Sequence, residues 1–140
     1  MEDTLISFET AKLAKEKGFY LEYPEYYYDK DEDTSIYDIC RVEYSPCGPN
    51  YPLSELYKTS KEDWYICSTQ SLLQCWLREK HNIIIEILMF ENTPNYKYRI
   101  WVNPQKGKNC SNVRSEKVYE CYEQALEEAL LQGLNLIKNE

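Results

Sequence analysis

The stretch Thr69–Ile87, TQSLLQCWLREKHNIIIEI, decides how the chain is read. Its first half places apolar residues at helical spacing, and its second half is an apolar run of strand length. It therefore predicts a helix that feeds almost directly into a strand. Ser68 or Thr69 caps the helix, which runs to about Lys80. Leu72, Leu73, Trp76 and Leu77 make its broad apolar side, with Trp76 as anchor, while Gln70, Gln74, Arg78 and His81 fall on the opposite stripe. Most of the stretch thus reads as core.

Beyond it, NTPN (92–95) is turn chemistry and YKYRIWV is the returning strand. With Glu91 facing Tyr96, Met89 lies opposite Tyr98, Ile87 opposite Ile100 and Ile85 opposite Val102, all on one face expected to be core. The other face carries Ile84, Leu88, Phe90 and Trp101 among Glu86, Lys97 and Arg99, too apolar a set to be left to water. Either the chain's own Tyr20–Tyr28 segment, rich in tyrosine, or a second copy of the chain could cover it. A monomer is favoured, because a two-fold pair would bring Lys97 and Arg99 of both copies together.

Outward from the hairpin, Ser7 caps a helix over about 8–17 that Gly18 ends, and YEQALEEALLQGLNLI predicts a helix over about 122–138 with Cys121 at the cap. Tyr122, Leu126, Ala129, Leu130, Gly133 and Ile137 share one side of that helix. A glycine inside a helix costs roughly 1 kcal/mol against alanine, so Gly133 signals a close approach. Residues 36–44 read as a strand, 45–52 as turn, 53–63 as a short helical turn and WYIC as extended. The expectation is one α+β domain over residues 1–140. A small antiparallel sheet, hairpin 83–91/96–102 joined by strand 36–44, packs against three helices.

The 140 residues carry a net charge of −8, which disfavours nonspecific DNA or RNA binding. Residues 1–63 hold 15 acids against 7 bases and residues 64–140 hold 9 against 9, so all the net charge lies in the first part. Segment 20–35, YLEYPEYYYDKDEDTS, combines five tyrosines with six acids and reads as a loop that covers apolar surface or receives a partner. Its candidate contacts are Tyr23, Tyr26, Tyr27, Tyr28 and Asp29. The segment 104–117 reads as a basic loop, with Lys106, Lys108 and Arg114 as candidates for an anionic ligand.

Catalysis finds little footing. His81 is the only histidine and marks a helix end, and no G-x-G or G-K-S/T loop is present to hold phosphate. The cysteine pairs Cys40/Cys47, Cys67/Cys75 and Cys110/Cys121 are spaced too widely for the usual zinc hairpin, and DKDED lacks the glycine of a calcium loop. No metal, cofactor or catalytic residue is expected. No apolar run spans a membrane and no apolar leader opens the chain, so the expected compartment is the cytoplasm, with all six thiols reduced.

ISFETAKLAKEKGF, TQSLLQCWLREKHNI and YEQALEEALLQGLNLI together resemble short proteins of unassigned function found in tailed bacteriophages and prophages. The resemblance covers about a third of the chain and implies a small accessory protein working in an infected bacterial cytoplasm. The first functional expectation is a noncatalytic binding protein that meets a host or phage macromolecule, most simply a protein, through the acidic, tyrosine-rich surface. The alternative is a small-molecule or nucleotide binder that uses the basic 104–117 loop and sequesters a signalling nucleotide.

Overall fold

The computed structural model describes residues 4–21, 24–30, 37–41, 64–89, 91, 94–104 and 112–137. The expected turn at 45–52 and helical turn at 53–63 lie outside them, as do Tyr23, Phe90, Lys106 and Lys108. The fold is α+β, and backbone contacts divide the chain into two compact units, Leu5–Ser68 and Thr69–Glu140 with Met1–Thr4.

In the Leu5–Ser68 unit, helix α1 (Phe8–Glu16) starts where Ser7 Oγ accepts the Thr10 backbone N–H at 3.2 Å. It ends at Gly18, whose φ of +90° lets Gly18 N donate to Lys15 O and Phe19 N to Ala14 O, closing the helix as its sequence implied. Three antiparallel strands follow, β1 (Tyr26–Lys30), β2 (Tyr37–Arg41) and β3 (Trp64–Ile66), in the order β2-β1-β3.

Two expectations are corrected here. The Tyr-rich segment is not all loop, because Tyr26–Lys30 is the central strand of this sheet. Consecutive tyrosines favour a pleated backbone, and alternation turns the Tyr28 ring inward, 7% exposed. Its hydroxyl donates to Ile6 O at 2.6 Å, and Phe8 meets the Tyr28 and Tyr65 rings edge-on at 5.7 and 5.4 Å. The strand expected at 36–44 does form, as β2, but pairs with β1 instead of the hairpin. Once β1 is a strand, it offers β2 a neighbour only a short connection away.

In the Thr69–Glu140 unit, helix α2 (Gln70–His81) is capped by Thr69 Oγ1, which accepts the Leu72 N–H. It ends at Asn82, whose φ of 50° turns the chain into β4 (Ile83–Met89). Strands β4, β5 (Tyr96–Val102) and β6 (Asn112–Arg114) form an antiparallel sheet in chain order. The hairpin is where the sequence placed it, with its register shifted by two. Met89 faces Tyr96, Ile87 faces Tyr98, Ile85 faces Ile100 and Ile83 faces Val102. Pairing stops at Met89, and Glu91 takes φ 47°, so the connection is longer than a four-residue turn. A shift of two keeps side-chain parity, which is why the core face survives. Ile83, Ile85, Tyr98 and Ile100 are buried on it.

Helices α2 and α3 (Tyr122–Asn135) pack on that face. The α2 helix is rotated from the expected setting. Gln70, Leu73 and Leu77 are its buried residues, whereas Leu72 is 49% exposed and Trp76 only half-buried, its ring edge-on to His81 at 4.6 Å. The glutamines turn inward because partners await them: Gln70 Nε2 donates to Glu123 O and Glu127 Oε1, and Gln74 Nε2 to Ile85 O on the edge strand. Along α3, Ala125, Leu126, Ala129, Leu130, Gly133 and Leu134 are buried. Tyr122 is instead 44% exposed and meets Tyr96 edge-on at 5.9 Å. A methyl at Gly133 would stand 3.3 Å from Leu77 Cδ1 and 3.6 Å from both Ile83 Cγ2 and Ile85 Cδ1, the close approach its sequence position implied.

Tyr98 packs near Tyr119, ring centroids 6.3 Å apart, and burial pushes its hydroxyl pKa above 10.0, with Tyr119, Glu128 and Glu116 adding to the shift. Burial and Glu128 raise Tyr119 likewise. A raised folded-state pKa contributes stability that is whole below the unfolded value and lost as pH climbs through the folded one. Urea unfolding should therefore show stability falling as pH rises above about 10, with Tyr98→Phe removing part of the fall. An unchanged slope in that variant would assign the loss to other groups.

Candidate functional site

The site is built on the face of β4-β5-β6 opposite the core. Period-two alternation along β5 places Lys97, Arg99 and Trp101 together there, and the register sets their neighbours. Trp101 lies between Ile84 and Asn112, Arg99 lies between Glu86 and Arg114, and Lys97 faces Leu88. All but Leu88 and Arg114 are half-buried, and those two are exposed.

A glutamate directly across from an arginine normally invites an ion pair. Here the Glu86 carboxylate is otherwise engaged, since Trp101 Nε1 donates to its Oε1 at 2.8 Å. The Arg99 guanidinium lies over the Trp101 ring instead, Cζ 5.7 Å from the centroid, a cation–π arrangement. Its Nε is buried, and among the described residues it has neither hydrogen bond nor carboxylate partner. Such an orphan donor costs about 1–3 kcal/mol. On the other side Arg114 stands directly across from Arg99, with its own Nε donating to Asn112 Oδ1 at 3.1 Å. Among the described residues, three cations and one occupied carboxylate therefore share a small sheet face, and two of the cations, Arg99 and Arg114, oppose each other.

The residues singled out in the sequence are distributed differently. Tyr26 and Tyr27 are half-buried on β1, and Tyr28 is inside its unit, which removes it from any exposed contact set. Asp29 occupies the register position opposite Asp38. Arg114 is on β6, within the sheet instead of a loop. Sequence reasoning put Lys97, Arg99 and Trp101 on the outer hairpin face without making them a site. The K-x-R-x-W alternation was the available signal. What it could not supply was β6, which brings Arg114 beside Arg99.

Among the described residues, no three His, Cys, Asp or Glu side chains gather as metal ligands, and no helix is long and apolar enough to cross a membrane. Cys40, Cys67, Cys75 and Cys121 are free thiols. Cys121 Sγ lies 2.8 Å from Glu123 Oε2, and this hydrogen bond holds the Glu123 carboxyl below its usual range. Compared with family models, curated proteins and solved structures, the chain matches none.

Proposed function

We propose that the chain is a noncatalytic binding protein that receives an anionic group on the outer face of β4-β5-β6. Of the basic segment's candidates Arg114 belongs to this site, on strand β6. The observation that carries it is Arg99, opposed by Arg114, left by Glu86 and short of an acceptor at its buried Nε. An anion between the two guanidinium groups would relieve their repulsion and accept charge-assisted hydrogen bonds from both. On the resemblance of its three segments, the setting we propose is that of a phage accessory protein.

Calorimetric titration with inorganic pyrophosphate tests this. Binding should weaken as salt rises and fall by at least about tenfold in Arg99→Gln, the weight of one charge-assisted interaction. Equal affinity in Arg99→Gln, or no binding by the wild type, would sink it.

A second reading has an observation of its own. Asp38 is exposed on β2, and residues 1–63 hold 15 acids against 7 bases. A basic protein partner bound there would neutralise that excess of negative charge. Binding of the same partner by an Asp38→Asn variant with undiminished affinity would reject that surface.

A further inference from the structure

We infer that the ligand of the basic and aromatic sheet face is a single nucleoside phosphate, its base and sugar toward β4 and its phosphates toward β6. This rests on the anion-binding reading and adds a direction to it. Across the strands the face runs from Glu86 on β4, through Arg99 on β5, to Arg114 on β6, so it is negative at one side and doubly positive at the other. A bare polyanion meets repulsion at Glu86. A molecule with one neutral, hydroxyl-bearing end and one anionic end matches the gradient, because Glu86 can accept from a sugar hydroxyl or a base amine while the arginines take the phosphates.

The aromatic part has a place as well. Arg99 Cζ lies 5.7 Å from the Trp101 ring centroid, which sets a guanidinium beside an indole, and purine or pyrimidine rings stack on arginine planes and on indoles alike. Trp101 is held in position for this by its bond to Glu86, so one residue both orients the ring and sets the polarity. Size argues against a longer nucleic acid. Two strand spacings of about 4.8 Å and four residues of about 3.3 Å give a patch of roughly 10 by 13 Å, the footprint of one nucleotide. The chain's net charge of −8 repels extended phosphate backbones.

The probes are ADP, inorganic pyrophosphate, adenosine and a short single-stranded oligonucleotide, each titrated into the full chain. Calorimetry and the indole N–H resonance of Trp101, assigned with Trp101→Phe, are the readouts. ADP is expected to bind about tenfold more tightly than pyrophosphate, the contribution of one stacked base. It should shift the Trp101 indole signal, and adenosine should bind far more weakly. Glu86→Gln keeps an acceptor for the indole while removing the negative charge, so pyrophosphate should gain affinity and the preference for ADP should narrow. Arg114→Gln should weaken ADP and pyrophosphate together. Pyrophosphate binding as tightly as ADP overturns the nucleotide and leaves the anion site standing. No binding of either removes both. ADP binding with an unmoved Trp101 signal puts the ligand elsewhere, and an oligonucleotide that outcompetes ADP replaces the single nucleotide with a strand.

Discussion

Leu77→Ala should lower the stability of the Thr69–Glu140 unit by about 3 kcal/mol, while Trp76→Ala, one position earlier, should cost only about 1 kcal/mol. Residue size alone would give the opposite order. The helix rotation decides it: Leu77 is fully buried, whereas Trp76 keeps part of its surface in water and rests its ring against His81. A cavity at position 77 also cannot close easily, because the nearest helix across it offers Gly133, which has no side chain to move in. Gly133→Ala alone should change stability little, its helix-propensity gain of about 1 kcal/mol set against a methyl 3.3 Å from Leu77 Cδ1. In the Leu77→Ala background that methyl meets space, so Gly133→Ala should there recover about 1 kcal/mol. Urea unfolding of the four proteins forms the cycle. A Trp76→Ala cost as large as that of Leu77→Ala would return the tryptophan to the core, and zero coupling would separate positions 77 and 133.

That rotation shows where the sequence was legible and where it was not. Period and turn chemistry located α1, α2, the hairpin and α3, because each has a strong local signal: the Ser7 and Thr69 caps, Gly18, the 3.6-residue spacing and the Ile83–Met89 run. Parity protected the core face of the hairpin even though the turn length misplaced the register. What failed was information held by distant partners. Gln70 looks like a surface residue until α3 supplies the Glu123 carbonyl and Glu127, and Gln74 until the free edge of β4 supplies the Ile85 carbonyl. The site was half legible for the same reason. Alternation grouped Lys97, Arg99 and Trp101, but β6 is three residues long and its Asn112–Arg114 stretch has no alternation long enough to recognise. Without β6, Arg99 has no opposing cation, and the case for an anion does not arise.

Tyr28→Ala should destabilise the Leu5–Ser68 unit by about 3–5 kcal/mol, the cost of truncating a large buried ring, and Tyr28→Phe by about 1 kcal/mol, one hydrogen bond. Tyr28 sits at the middle of the central strand, with Ile39 and Tyr65 as its register neighbours and the Phe8 ring edge-on against it. Removing the ring takes away both the edge-to-face contact and the packing that ties α1 to the sheet. The phenylalanine variant keeps these and loses only the hydroxyl, leaving the Ile6 carbonyl without the 2.6 Å bond from Tyr28. Hydrogen exchange gives the local readout: amides of α1 and β1 should lose protection in Tyr28→Ala, and those of β4 and β5 in Leu77→Ala. The same pair of variants bears on the acidic surface, because a partner that reads the tyrosines directly would be lost with the Tyr28 hydroxyl. Since that hydroxyl is spent inside, Tyr28→Phe should bind any such partner as wild type does. If it instead abolishes binding while the fold persists, Tyr28 turns outward in the complex, and β1 is a reading strand after all.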